Sequence, residues 1–349
     1  MKKMLALLLA LVMVLSLAAC ASSQPAAAST ETAETTETTE PAAEESAEES
    51  AEAPAESGKT YTVGVCQLVQ HEALDAATQG FIDALKEELG DAVTVDVQNA
   101  SGDSVNCGTI VNGFVSKGVD LIMANATPAL TAAVSATADI PILGTSITAY
   151  GVALDIDDFN GTVGGNVSGT SDLADLQAQA QMILDWFPET KTVGLLFCSA
   201  EPNSRYQIDE VRKALEAQGV TCEEFAFTDS NDVSSVTQKA ADFSDVVYIP
   251  TDNTAASNTE AIANVLIPAG VPAICGEEGL CRGCGVATLS ISYYDLGVTT
   301  GKMAAKILKG EADISTMPVE YTDATPKYNA SVCEQLGITP LDGYEAIDG

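Results

Sequence analysis

The sequence has few of the residues on which most enzyme active sites depend. It contains one histidine and one tryptophan, and aromatic residues make up 5% of the chain. The signatures G-x-S-x-G, G-x-x-x-x-G-K-[ST] and H-E-x-x-H do not occur, which argues against serine hydrolases, phosphate-binding loops and zinc proteases. Carboxylates adjacent in sequence, such as Glu277 and Glu278, would point apart on a strand. We therefore expect no catalysis, no cofactor and no metal.

Basic residues are also scarce. Lysine and arginine total 15 against 50 aspartate and glutamate residues, which gives a formal net charge of -35. Such a charge opposes binding to nucleic acids and to anionic lipid surfaces. It favours solubility outside the cell, and no nucleic-acid partner is expected.

The first residues have the pattern of an export signal. Two lysines precede an apolar run from Met4 to Leu17, which is too short for a typical membrane-spanning helix. The run ends in Leu-Ala-Ala-Cys at Cys20, which resembles a bacterial lipobox. The resemblance implies that residues 1–19 are removed as a lipoprotein signal peptide and that Cys20 carries the lipid. The protein is then expected on the outer face of the bacterial cell membrane.

Residues 20–58 differ in composition from the rest of the chain. From Ala21 to Gly58 the sequence is built mainly of Ala, Ser, Thr, Pro and Glu, without lysine or arginine. Such a segment buries too little apolar surface to offset the entropy lost on ordering. We predict a disordered acidic tether that follows the lipidated cysteine.

From Thr60 onward, short β-branched runs alternate with amphipathic segments of helical length. This alternation is typical of βαβ units and parallel sheets, so the predicted fold class is α/β. Strands are predicted at 61–68, 93–99, 121–125, 141–146, 192–198, 221–226 and 246–250. Helices are predicted at 74–89, 104–117, 128–137, 173–187, 205–218 and 233–243.

Two parts of this alternation are similar to each other. Ser101 to Thr127 and Ser230 to Thr254 each run from a polar helix start, through an apolar strand, to a polar strand end. Two such halves indicate two lobes whose strand ends face each other. Open α/β sheets bind ligands at that edge, so we expect the site between the lobes. The turn after the strand ending at Cys198 places Glu201, Asn203 and Ser204 there, and Ser204 also fits a helix N-cap.

The residues from Thr60 to Leu341 resemble the extracytoplasmic substrate-binding proteins of ABC importers, which have the type I periplasmic-binding-protein fold. The resemblance rests on Gly169-Thr-Ser-Asp172, Ala200-Glu-Pro-Asn-Ser204, Pro250-Thr-Asp-Asn-Thr254, Gly276-Glu-Glu-Gly279 and the stretches Val286–Ser290, Tyr293–Gly297, Thr300–Gly301 and Ile307–Gly310. It implies two Rossmann-like lobes joined by a three-strand hinge, with crossovers near Asn166, Ile291 and Pro318. Residues 60–166 and 292–318 would form lobe one, and residues 167–291 and 319–349 would form lobe two.

Within the family, the motifs resemble the subgroup that takes up tryptophan and other aromatic amino acids. The resemblance implies a monomer that captures a small amino acid by closing its lobes and delivers it to an ABC permease with a cytoplasmic ATPase. Two alternatives stay open at this stage. The ligand can be another small solute, such as a branched-chain amino acid, a sugar or a nucleoside, or the closed protein can act as a sensor.

An amino-acid ligand needs donors for its carboxylate and acceptors for its ammonium group. Asp252 is predicted as the ammonium acceptor, because a carboxylate at a strand end can form a charge-assisted hydrogen bond. The ligand-binding candidates are Gln67, Thr127, Thr145, Ser146, Ser171, Asp172, Glu201, Asn203, Ser204, Asp252, Asn253 and Glu277. His71 follows the first strand, but a single histidine is more often a surface or core residue than a ligand contact.

Nine cysteines occur, and eight remain after Cys20. Exported proteins often form disulfides, whereas a cysteine within an apolar strand can act as a small hydrophobic residue. Cys281 and Cys284 form one C-x-x-C motif without the second pair of a structural zinc site. The motif is compatible with a local disulfide, a buried thiol pair or no function.

Overall fold

The computed structural model describes residues 59–347. The predicted signal peptide, Cys20 and the acidic tether lie outside these residues. The strands are β1 (Tyr61–Gln67), β2 (Val93–Asn99), β3 (Leu121–Asn125), β4 (Ile142–Ile147), β5 (Val167–Ser171), β6 (Thr192–Cys198), β7 (Thr221–Phe227), β8 (Val246–Ile249), β9 (Ala273–Cys275), β10 (Ala287–Ser290), β11 (Glu320–Tyr321), β12 (Thr325–Tyr328) and β13 (Glu345–Ala346).

The α-helices alternate with these strands along most of the chain. They are α1 (Glu72–Leu89), α2 (Ser104–Lys117), α3 (Thr127–Ala136), α4 (Tyr150–Ala153), α5 (Leu176–Trp186), α6 (Pro202–Glu216), α7 (Val233–Phe243), α8 (Asn253–Ala256), α9 (Thr259–Ala269), α10 (Glu278–Cys284), α11 (Tyr293–Lys309) and α12 (Ala330–Leu336). Short 3-10 turns occupy Gly90–Ala92 and Ile314–Thr316. No helix within residues 59–347 is long and apolar enough to span a membrane.

The strands form two sheets of the same basic topology. The first has six strands in the order β11-β5-β4-β3-β1-β2, and the second has seven in the order β13-β12-β10-β9-β8-β6-β7. All pairs in the first sheet are parallel. The second is parallel except where β10 meets β12. The fold predicted from the sequence, with two parallel-dominated sheets, is confirmed.

Each sheet has a hydrophobic core on both faces. In the first sheet, one core packs against α2 and α3 and the other against α1 and α11. The second sheet has one core beneath α5, α6 and α12 and another beneath α7, α9 and α10. Burial on both faces explains why the central strands are continuous apolar runs, as in Leu121–Asn125, whose residues are all buried. We call each sheet with its helices a lobe.

The chain passes between the two sheets three times. It leaves the first sheet after β5, returns before α11, and leaves again between β11 and β12. Strand β5 pairs with β4, so Val167–Ser171 belongs to the first sheet although the sequence placed it in lobe two. Pairing of β11 with β5 likewise extends the first sheet to Tyr321, beyond the predicted boundary at residue 318. The sequence places both boundaries too early, because strand pairing that composition does not show brings these two short strands into the first sheet.

Helix α6 begins earlier than predicted. It starts at Pro202 with Glu201 as the N-cap residue, so Ser204 lies inside the helix and is not its cap. Proline is favoured in the first turn because its missing N–H has no partner there in any helix. This shift turns the Asn203 and Ser204 side chains into the protein, where both are buried.

Candidate functional site

A small cavity lies between the carboxyl ends of the strands of the two lobes. Its volume is about 10 Å³, which is room for about one water molecule. Both lobes line it, through His71, Leu74, Ser146, Thr148, Asp172, Asn203, Thr251, Asp252, Asn253, Ala256, Glu277 and Tyr293. The cavity therefore occupies the sheet edge at which the sequence predicts a ligand site.

Four buried polar atoms without a hydrogen-bond partner belong to residues that line this cavity. They are His71 Nδ1, Ser146 Oγ, Asp172 Oδ1 and Asn203 Oδ1. A buried polar atom without a partner costs roughly 1–3 kcal/mol, so such atoms are rare unless a ligand uses them. Ser146 also has a φ of 56°, a left-handed conformation that few non-glycine residues adopt.

Asp172 presents one free carboxylate oxygen to the cavity. Its Oδ2 accepts a hydrogen bond of 2.9 Å from the Tyr293 hydroxyl, while Oδ1 has no partner. Burial raises the pKa of this carboxyl to about 6, and hydrogen bonding to Tyr293 and Thr148 opposes the rise. The side chain is held in place on one side and open to a cation on the other.

Asn203 adds a second acceptor from the opposite lobe. Its Nδ2 donates to the Thr251 carbonyl oxygen at 3.1 Å, which fixes the orientation of the amide. The Oδ1 atom is then the unpaired end of the side chain. Together with Asp172, it makes this part of the cavity rich in acceptors.

Asp252 and Glu277 also line the cavity, but the fold already uses their oxygens. Asp252 accepts from Cys198 N at 2.6 Å and from Ala255 N at 2.8 Å. Glu277 caps helix α10 by accepting from the backbone of Gly279 and Leu280. Burial raises the pKa of Glu277 to about 7, and burial together with the neighbouring Glu201 carboxylate raises the pKa of Asp252.

Both carboxylate oxygens of Glu201 accept hydrogen bonds from residues at the start of α8. Its Oε2 accepts from the backbone N and the Nδ2 of Asn253, at 3.0 and 2.6 Å, and its Oε1 accepts from Thr254. Asn253 Oδ1 lies 3.2 Å from His71 Nε2, a contact that joins the two lobes. Glu201 therefore orients a side chain that lines the cavity, although it does not line the cavity itself.

Five further candidates lie outside the cavity lining, within the lobes. They are Gln67, Thr127, Thr145, Ser171 and Ser204.

Two of these residues have side-chain contacts within the first lobe that explain their positions. Gln67 bonds Val69, Asp75 and Thr78 within the first lobe. Thr145 joins a buried hydroxyl network with Thr170 and Thr300.

Ser171 and Ser204 are likewise used internally. Ser171 donates to the Thr148 carbonyl oxygen at 3.0 Å. The Ser204 hydroxyl accepts a hydrogen bond of 3.4 Å from Asn203 Nδ2. Thr127 begins α3, with Pro128 in the first turn as the sequence predicts, and is buried there.

Several lining residues were not among the sequence candidates. In the sequence, His71 is discounted as a single histidine and Tyr293 serves only as part of a family motif. Thr148 and Thr251 lie beyond strand ends that the prediction had located correctly. Each of these four residues lies within a few residues of a strand end or of a crossover. Their position in the sequence could therefore have identified them as candidates.

Among residues 59–347, no group of three or more His, Cys, Asp or Glu side chains is placed to hold a metal ion. The eight cysteines there are thiols, and seven of them, including Cys281 and Cys284, are buried. Of the alternatives for that C-x-x-C motif, the structure has the buried thiol pair.

Comparison with known proteins gives consistent matches. The family model for ABC transporter substrate binding proteins matches residues 62–343. A tyrosine-binding protein of Clostridioides difficile (strain R20291) is 33% identical over 276 residues, covering 77% of this chain and 79% of that protein.

Two solved structures show the same architecture. An ABC domain from Streptococcus pneumoniae in complex with L-Trp is 32% identical, with a TM-score of 0.78, over 83% of this chain and 100% of that one. A ligand-free, open substrate-binding protein with adhesive properties from Clostridium difficile is 33% identical, with a TM-score of 0.63, over 83% and 99%. At nearly equal identity, this chain is closer in shape to the complex than to the open form.

The family match, the relative and the two-lobed site agree. This chain belongs to the ABC transporter substrate-binding proteins.

Proposed function

We propose that this protein binds an aromatic L-amino acid in the cavity between its lobes. The observation that carries the proposal is the convergence of unpaired buried polar atoms on one interlobe cavity. Asp172 Oδ1 and Asn203 Oδ1 are the acceptors for the ammonium group, and the Ser146 hydroxyl is a donor for the carboxylate. The tyrosine and tryptophan named for two relatives support the choice of ligand.

Closure of the lobes accompanies binding. The cavity has room for about one water molecule, so an amino acid enters only when the lobes separate. The lobes then close around it with a wider space between them than in the ligand-free protein. A ligand shifts this equilibrium only by its extra affinity for the closed form. Asp172 and Asn203 supply that extra affinity, because they reach the ligand from opposite lobes.

We also propose where the protein is anchored and which transporter components it serves. Substrate-binding proteins of ABC importers are extracytoplasmic. We infer that Cys20 carries the lipid anchor and that residues 20–58 tether the binding unit to the membrane. The closed monomer then delivers its ligand to a permease with a cytoplasmic ATPase, without catalysing a reaction of its own.

A ligand screen by differential scanning calorimetry tests this function. The purified protein is heated with L-tyrosine, L-tryptophan, L-phenylalanine, L-leucine, glucose and adenosine in turn. A ligand present at 100 times its Kd stabilises the folded state by about 2.7 kcal/mol, so the melting temperature should rise by several degrees with tyrosine or tryptophan. A rise confined to leucine, glucose or adenosine would contradict the proposal.

A further inference from the structure

The two ring nitrogens of His71 have different surroundings. Nε2 lies 3.2 Å from Asn253 Oδ1, while Nδ1 is buried without a partner, and His71 lines the cavity. His71 is the only histidine of the chain. What its unpaired nitrogen can bind depends on which nitrogen carries the proton.

The surrounding hydrogen bonds assign that proton. Glu201 Oε2 accepts from Asn253 Nδ2 at 2.6 Å, and because a carboxylate only accepts, it fixes the Asn253 amide with Oδ1 toward His71. Asn253 Oδ1 in turn accepts, so Nε2 must be the nitrogen that carries the hydrogen. In the neutral ring, Nδ1 is then a hydrogen-bond acceptor.

Burial favours the neutral ring. Desolvation lowers the pKa of His71, although the hydrogen bond to Asn253 and the charges of Glu201 and Asp75 oppose this change. At neutral pH the buried Nδ1 atom therefore offers a lone pair to the cavity. It needs a donor from the ligand.

The position of His71 indicates which part of the ligand supplies that donor. Leu74 and Ala256 are the aliphatic residues that line the cavity. Leu74 is in the first turn of α1, which His71 caps, and Ala256 ends α8, which starts at Asn253. The apolar part of the cavity is thus formed by the two helices that the His71–Asn253 contact joins.

A larger groove adjoins this apolar part of the cavity. His71, Ala256 and Glu277 border a neighbouring groove of about 520 Å³. An aromatic side chain that extends past Leu74 and Ala256 reaches this groove beside His71. The ammonium group is instead accounted for by the carboxylate of Asp172.

We propose that His71 Nδ1 accepts the phenol O–H of tyrosine or the indole N–H of tryptophan and so selects these ligands over phenylalanine. The inference rests on the proposed function and identifies the atom of that site that recognises the ligand's side chain. Phenylalanine would leave Nδ1 buried and unpaired. A site built to pair a ligand hydroxyl rejects the analogue that lacks it.

Calorimetric titration of two variants tests the selection. Wild-type protein should bind tyrosine at least about tenfold more tightly than phenylalanine. His71→Phe keeps an aromatic ring but has no acceptor, so the ratio should fall toward one mainly through loss of tyrosine affinity. The matched variant His71→Gln retains an acceptor and should keep part of the preference.

Nitrogen NMR of the single histidine provides a second readout on the full chain. With ¹⁵N in the histidine ring and an affinity tag that lacks histidine, the spectrum should show a protonated Nε2 and a bare Nδ1. Tyrosine should shift the Nδ1 resonance strongly and phenylalanine should not.

The outcomes separate this inference from the proposed function. A proton on Nδ1, or equal losses of affinity for tyrosine and phenylalanine in His71→Phe, overturns the proposed role of His71 but leaves the proposed function standing. Equal wild-type affinity for the two ligands does the same. Failure of wild type to bind tyrosine or tryptophan overturns the proposed function as well.

Discussion

At the scale of single residues, Asp172 and Asp252 differ in how much of each carboxylate the fold already uses. Both are buried and both line the cavity. Both carboxylate oxygens of Asp252 accept hydrogen bonds from backbone N–H groups, whereas Asp172 Oδ1 has no hydrogen-bond partner. The sequence predicts Asp252 as the ammonium acceptor because it ends a strand in a polar run, but that pattern does not show hydrogen-bond saturation. The unpaired oxygen makes Asp172 the stronger proposal.

The substitution Asp172→Asn should stabilise the ligand-free protein at high pH. The pKa of Asp172 is raised to about 6 in the folded protein, so the folded state binds this proton more tightly than the unfolded state. The associated stability is present at about pH 4 and is lost as the pH rises through 6. Asparagine avoids that loss, and we expect a gain of about 1–3 kcal/mol at pH 8 and almost none at pH 4.

Urea denaturation at the two pH values measures this difference. Asp185→Asn is the matched control, because Asp185 is exposed and its carboxylate accepts from Gln181 at the surface. The control should change stability little at either pH. A destabilised Asp172→Asn variant at pH 8 would mean that the charge is part of the fold and not of a binding site.

Ligand affinity should fall on acidification. The ammonium group of an amino acid pairs with ionised Asp172, whose pKa of about 6 means that protons compete with the ligand below that pH. Affinity should drop by up to about tenfold for each pH unit below 6. Titration calorimetry at pH 8, 7, 6 and 5 measures the effect, and Asp172→Asn should give a flatter profile. Unchanged or tighter wild-type binding at pH 5 would be inconsistent with this pairing.

At the scale of helices and strands, the sequence alone predicts most of the elements. Strands that are buried on both faces, such as β6 with its buried Leu195, consist of long apolar runs. The helices between them show a clear periodicity of apolar residues. The sequence predicts β5 and β11 poorly, since pairing of β5 with β4 and of β11 with β5, rather than composition, defines these strands. Cavity residues such as Thr148 were missed for a related reason, because contacts distant in sequence decide which side chains of a loop meet.

The packing of α1 on α11 depends on glycine. A Cβ atom on Gly297 would meet the carbonyl oxygen of Ala77, and one on Gly80 would meet the carbonyl oxygen of Tyr294. Gly297→Ala should therefore destabilise the protein by about 1–3 kcal/mol, because two helix backbones would have to separate.

Gly113→Ala is the matched control for this packing. Gly113 also lies inside a helix, but a Cβ atom there would have nothing within 4 Å. Because alanine is the better helix former, the control should be neutral or stabilising by up to about 1 kcal/mol. Guanidinium denaturation of both variants measures the two effects. Equal stability of the two variants would contradict close packing between α1 and α11.

At the scale of the whole molecule, the two lobes face each other in a closed arrangement. His71 contacts Asn253 across the cleft, and Arg282 Nε lies 3.0 Å from Glu72 Oε1. The ion pair is partly exposed and contributes at most about 1 kcal/mol. This ion pair therefore adds little to closure, while the unpaired atoms around the cavity favour closure on a ligand that satisfies them.

Titration calorimetry of L-tyrosine into wild-type protein and Asp172→Asn at pH 7.5 tests the central claim most directly. Asparagine keeps an acceptor for Tyr293 but lacks the charge, so Kd should rise by about tenfold to a hundredfold. Asp252→Asn in the same experiment shows which carboxylate meets the ammonium group. Loss of affinity in Asp172→Asn is the predicted result, and wild-type affinity in that variant would contradict the account.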